Sequence, residues 1–141
     1  MLLPQEKSLC KNDQKIIVSK DKGSSRRHRA INTGQQYYMR QYRLDGDIVR
    51  HQKCCDFLLL NDTLKNAYFI ELKGGNIHDA VTQLEAGEKI CRVELSGYES
   101  YYRIICSKVR THNVQKNVFR KFKEKCGSRL ICAENSLEEK M

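Results

Sequence analysis

The chain has 141 residues, 40% of them apolar and 30% charged, with a single proline. That is enough for one domain with its own core and too apolar for a disordered chain. Twenty-six Lys and Arg against 17 Asp and Glu leave a net charge of +9, which points to a polyanionic partner, nucleic acid first.

No apolar run approaches the ~18 residues that span a bilayer, and the opening Met-Leu-Leu-Pro-Gln-Glu-Lys has no apolar stretch of the secretory kind. Seven cysteines, an odd number without regular spacing, read as reduced thiols packed as small hydrophobes. The expectation is a cytoplasmic protein in a reducing compartment, with no membrane partner.

Residues 1–30 are polar and rich in Lys and Arg, and are expected to form a basic arm interrupted by a short strand at Ile16-Ile17-Val18. Arg26-Arg27-His28-Arg29, after Gly23-Ser24-Ser25, is its densest cluster. Arg26, Arg27 and Arg29 are candidates for contacts to a phosphate backbone, against the alternative of a solvated arm.

Residues 35–50 hold Tyr37, Tyr38, Tyr42 and Leu44, then the turn signal Asp45-Gly46 and Ile48-Val49. They suggest a strand beside the next one. Tyr37 and Tyr38 suit either base stacking or edge packing. His51-x-x-Cys54-Cys55 offers zinc-type ligands, but adjacent cysteines on a strand point to opposite faces.

The runs Phe57–Leu60 and Ala67–Ile70 are short, apolar and bounded by polar residues, as buried strands are. Asn61-Asp62-Thr63-Leu64-Lys65-Asn66 between them has the composition of a hairpin turn. With the hairpin symmetric about Thr63 and Leu64, Asp56 stands opposite Glu71. Lys73, two residues beyond Glu71, points to the same side. Opposed carboxylates repel each other, and burying them unpartnered costs several kcal/mol. A divalent cation converts that repulsion into binding, so Asp56 and Glu71 form a candidate metal site with Lys73 beside it. The alternative is a solvated Glu–Lys pair at a strand end.

After Gly74-Gly75 the period changes. Asn76 caps a helix with Asp79 three residues on, and Ile77, Val81, Leu84 and Cys91 recur at helical spacing to about residue 92. Gly87 weakens this helix without ending it. Ser96-Gly97 marks a loop and Tyr101–Val109 a strand. Asn113 is placed to cap a second helix over 114–126, stopped by Gly127, with Val118, Phe119, Phe122 and Cys126 as its apolar stripe. Lys116, Arg120 and Lys123 read as its wet side. Arg129–Ala133 is a final strand, and 136–141 a polar tail. Residues 31–135 thus form an α/β core.

Asp56 on one strand, Glu71-Leu72-Lys73 on the next, then helix, strand, helix and strand together resemble the PD-(D/E)XK nuclease superfamily. The likeness runs from about residue 48 to 133. It implies a restriction-endonuclease-like core, with a mixed central sheet, a site-bearing hairpin and flanking helices. It further implies a metal-dependent endonuclease acting on phosphodiester bonds, in DNA ahead of RNA, with Mg²⁺ or its substitute Mn²⁺. Asp56, Glu71 and the Leu72 carbonyl would be the metal ligands, and Gln83 matches a helix Gln found in some branches of the superfamily. Cys55 replaces the proline of the motif. No helix acid precedes the hairpin, although Asp45 or Asp47 could contribute.

The chemistry asks for the same groups. Phosphodiester hydrolysis needs charge stabilised, a water activated and a leaving oxygen neutralised. Mg²⁺ takes one or two carboxylates while keeping several waters. A chain without a separate recognition domain would read nucleic-acid structure, or borrow specificity from a partner protein or a second copy in a homodimer. The rival readings are a catalytically silent nucleic-acid-binding module of the same fold and a protein-interaction subunit.

Overall fold

The computed structural model describes residues 1–73, 76–108 and 116–141. They build a mixed α/β protein with two sheets and two helices. β3 (Met39–Arg43), β4 (Phe57–Asn61), β5 (Asn66–Lys73), β6 (Glu99–Cys106) and β7 (Leu130–Glu134) form a five-stranded sheet in that spatial order. The β3–β4 and β4–β5 pairs are antiparallel, whereas β5–β6 and β6–β7 are parallel. Helix α1 (Ile77–Cys91) makes the crossover from β5 to β6, and α2 (Asn117–Cys126) precedes β7.

The central strands are apolar on both faces because both faces are covered. Leu58, Leu60 and Phe69 join Ala80, Val81 and Leu84 of α1 and Phe122 of α2 in one core. Phe57, Leu59, Ile70, Leu72 and Ile105 face the other way, onto Ile17 and Ala30 of a second sheet. That sheet, β1 (Ile16–Lys20), β2 (Arg27–Ile31) and β8 (Ser136–Lys140), has β2 in the middle. The result is three layers: helices, large sheet, small sheet.

The small sheet corrects two expectations. Residues 1–30 are not a loose basic arm: β1 and β2 pair as a hairpin, and Leu3 is buried in the helical-side core. The polar segment 136–141 is not a tail, because β8 runs parallel to β2. What holds it is a polar cluster between the layers. Arg103 of β6 grips Glu139 through Nε (2.7 Å) and Nη2 (2.9 Å), and His28 Nε2 lies 2.6 Å from the same carboxylate. The Arg103 guanidinium is flanked by the rings of Tyr68 and Tyr101. These partners hold the Glu139 carboxyl at about 2, against the pull of burial in the opposite direction.

The second helix begins, among the described residues, at Asn117. Its proposed cap at Asn113 and the end of the sixth strand at Val109 lie outside them. Lys123, expected on the wet side, donates to the carbonyls of Gly127 (3.0 Å) and Leu130 (2.8 Å) and so closes the C-terminus of α2.

Candidate functional site

β4 and β5 pair Phe57 with Ile70 and Leu58 with Phe69 without a bulge, so the ladder continued by one residue puts Asp56 opposite Glu71. The backbone fixes both acids. The Leu72 N–H donates to Asp56 Oδ2 at 2.9 Å, and the Asp56 N–H donates to Glu71 Oε1 at 3.2 Å. Lys73 Nζ stands 4.0 Å from Glu71 Oε2.

The fourth member comes from α1. Asn76 accepts from the Asp79 N–H at the helix start, and Ile77, Ala80, Val81, Leu84 and Gly87 bury one stripe against the sheet. Gln83 lies at the edge of that stripe, over the end of β5. With its amide nitrogen towards Glu71, the orientation that matches donors to acceptors, it donates to Glu71 Oε2 at 2.8 Å. Its oxygen then accepts from Lys73 Nζ at 3.2 Å. Asp56, Glu71, Lys73 and Gln83 therefore meet, contributed by β5, the residue before β4, and α1.

Glu71 is only 2% exposed. Burial, with the Asp56 charge adding to it, pushes its carboxyl up to about 8, although Lys73 and the Asp56 N–H pull the other way. Burial also raises the Asp56 carboxyl, opposed by the Leu72 N–H and by the Arg43 charge. Burial thus opposes the ionised form of both acids more than their partners favour it.

Two carboxylates of this kind suit a hard divalent cation that keeps most of its waters. Among the described residues, no group of three or more His, Cys, Asp or Glu side chains is arranged to hold a metal. Oxygen ligands beyond Asp56 and Glu71 would come from the main chain, where Leu72 adjoins both acids, and from water. A groove of about 260 Å³, lined by Lys53, Asp79, Thr82, Gln83 and Ala86, adjoins the cluster at Gln83.

The three arginines do not join this cluster. Arg27 and Arg29 line the outer face of the small sheet, where Arg29 is ion-paired with Glu138. Arg26 donates to Ser107 Oγ at 2.8 Å, just past the end of β6. Tyr38 is exposed, while Tyr37 packs against the inter-sheet core. His51 is exposed, and Cys54 and Cys55 are both fully buried in one core, since they precede the strand and escape its alternation.

Two further residues belong beside the site. The Leu44 N–H donates to the Asp56 carbonyl at 2.8 Å, bringing the Asp45 turn alongside, and the Asp45 charge raises both site carboxyls. Arg43 of β3, paired with Asp21 at 2.6 Å, acts on Asp56 from the other face. Asp45 is one of the two acids already named as further contributors, whereas nothing local marks Arg43.

No family model, curated protein or solved structure matches the chain.

Proposed function

We propose that the protein is a metal-dependent endonuclease with a restriction-endonuclease-like core, hydrolysing phosphodiester bonds in DNA ahead of RNA. The observation that carries this reading is the convergence of Asp56, Glu71, Lys73 and Gln83, with a carboxylate pair that burial leaves short of positive charge. The order of elements around them, two antiparallel strands, a crossover helix and a parallel strand, supports the same fold.

Asp56 and Glu71 would hold Mg²⁺, or Mn²⁺ in its place, with the Leu72 carbonyl. When bound, the cation supplies charge stabilisation for the phosphoryl oxygens and a more acidic water. Lys73 orients the attacking water and offsets phosphate charge. Gln83 keeps the Lys73 ammonium and the Glu71 carboxylate in fixed register, which reduces the reorganisation the reaction requires. Cutting both strands of a duplex takes two such sites, so a homodimer or a partner protein completes the reading.

The test is incubation of purified protein with branched, single-stranded and duplex DNA plus Mg²⁺ or Mn²⁺. Wild type should cleave at least one of these, and Lys73→Ala should lose about 10²–10⁴-fold in rate. Identical behaviour of the two proteins would rule out catalysis at this site.

One observation favours a second reading. The Asp56 N–H, Gln83 and Lys73 already occupy the acceptor positions of Glu71, as in a self-contained polar cluster. A silent nucleic-acid-binding module would bind with a steep salt dependence and be indifferent to Mg²⁺ and to Glu71→Gln.

A further inference from the structure

On the side of the large sheet away from α1, a groove of about 630 Å³ runs between β1 and β3. Its lining includes Ile16, Val18, Lys20, Lys22, Arg43 and Phe57. β1 alternates strictly: Ile17 and Ser19 turn inward, and Ile16, Val18 and Lys20 turn out. Gln41 of β3 donates to the Val18 carbonyl and to Ser19 Oγ, both at 2.9 Å, which fixes the two walls relative to each other.

The groove joins an apolar floor to a cationic rim. Its floor is apolar and open, with Ile16 38% and Val18 42% exposed. Its rim is cationic: Lys20, Lys22 and Arg43 line it with no carboxylate among the lining residues. Asp21, between Lys20 and Lys22 in the chain, is taken up by Arg43, whose guanidinium also lies 4.9 Å from the centroid of the Phe57 ring. Lys20 and Lys22 form no ion pair among the described residues. Phe57 turns its ring to the small-sheet side, so the groove lies on the face opposite the Asp56–Glu71–Gln83 cluster.

We infer that this groove holds an unpaired stretch of nucleic acid, with Lys20 and Lys22 on its phosphates and the Ile16–Val18 floor under its bases. The inference rests on the nucleic-acid reading above and narrows it to substrates with a single-stranded segment. A duplex presents phosphates and groove edges but keeps its base faces stacked inside, so an apolar floor between cations has nothing to meet there. Unpaired bases supply that apolar face, and their backbone supplies the charge.

The experiment measures anisotropy of a labelled oligothymidine and of a mixed-sequence duplex of equal length, in EDTA, across a salt series. The proteins are wild type, Lys20→Glu/Lys22→Glu, and Lys89→Glu/Lys125→Glu as a charge-matched change on the helical layer. The groove variant should keep its melting temperature and lose single-strand affinity by tenfold or more. Its salt slope should shrink by about 1.4, two contacts at about 0.7 each. The helical-layer variant should stay within about threefold of wild type. Three results would overturn the inference: no single-strand binding by wild type at low salt, equal losses in both variants, or duplex affinity falling as far as single-strand affinity. Because nothing is cleaved in EDTA, this outcome is separate from the Lys73→Ala assay. The groove can fail while cleavage stands, and the reverse.

Discussion

Gly87 of α1 lies against the Cys55 thiol so closely that a β carbon on the glycine would stand 2.6 Å from Sγ. The same carbon would be 3.2 Å from Leu44 and 3.5 Å from Phe69. One helical turn before Gly87 is Gln83, and two residues beyond Phe69 is Glu71. Four helix residues rise about 6.0 Å and two strand residues about 6.7 Å, so the two steps nearly match along antiparallel elements. Close approach at Gly87 is therefore what lets the Gln83 amide reach Glu71 and Lys73.

Gly87→Ala should destabilise the protein by up to about 2 kcal/mol. Alanine gains roughly 1 kcal/mol of helix propensity. The contact with Cys55 forces α1 outward at a cost typical of overpacked cores, about 1–3 kcal/mol. Urea unfolding measures the sum. Cleavage should fall further than stability alone explains, since Gln83 moves with the helix. A variant as stable and active as wild type would show that this contact relaxes freely.

Glu71→Gln should raise the melting temperature in EDTA while abolishing cleavage. The folded protein holds a proton on Glu71 up to about pH 8, whereas the unfolded chain releases it near 4.5. Stability from this group is complete below 4.5 and declines as pH rises to about 8. The glutamine does not titrate, so its advantage should grow across that window, to a level on the order of 1–3 kcal/mol. Melting curves at pH 5, 7 and 8.5 read the trend, and a flat difference would contradict it.

Mg²⁺ should raise the wild-type melting temperature at pH 8 by an amount that grows with its concentration. At a hundred times the dissociation constant the gain is about 2.7 kcal/mol. Asp56→Asn should remove most of this effect. Lys73→Met should retain it while losing cleavage, which separates a cation ligand from a residue acting on water and phosphate.

Glu139→Ala should cost about 3–5 kcal/mol, because it strands the buried Arg103 guanidinium. In the wild type the Glu139 carboxyl sits at about 2 when folded and near 4.5 when unfolded. Its stabilisation is present above 4.5 and is lost as pH falls towards 2. Acid titration followed by circular dichroism should show the variant missing that part of the transition.

The site was legible in the sequence because its supports are local. Phe57–Leu60 and Ala67–Ile70 are apolar on both faces and joined by a short turn, so the register followed from symmetry. The Asn76–Asp79 cap announced α1 and, with it, the position of Gln83. Apart from the strand expected at Ile16-Ile17-Val18, the small sheet was not legible because each of its strands turns a polar residue inward. Ser19 and His28 are fully buried, and Glu139 is held by Arg103 from across the layers. β8 reads as a tail for the same reason: the residues that satisfy its inward carboxylate are remote in the chain. Asp45 stood beside Asp47 as a further acid in the sequence, and the backbone bond from Leu44 to Asp56 is what singles it out.

His28 and Glu139 are 111 residues apart in sequence, yet their strands lie side by side. On a ribosome adding about 5–20 residues each second, the β1–β2 hairpin waits roughly 6–20 s for its third strand. Over that interval His28 lacks the carboxylate it meets in the folded protein, as Arg103 does over the last 36 residues, and the β2 edge is open to other chains. Vectorial synthesis thus makes the nascent protein most prone to mispairing just before β8 emerges, and that is when a chaperone would matter most.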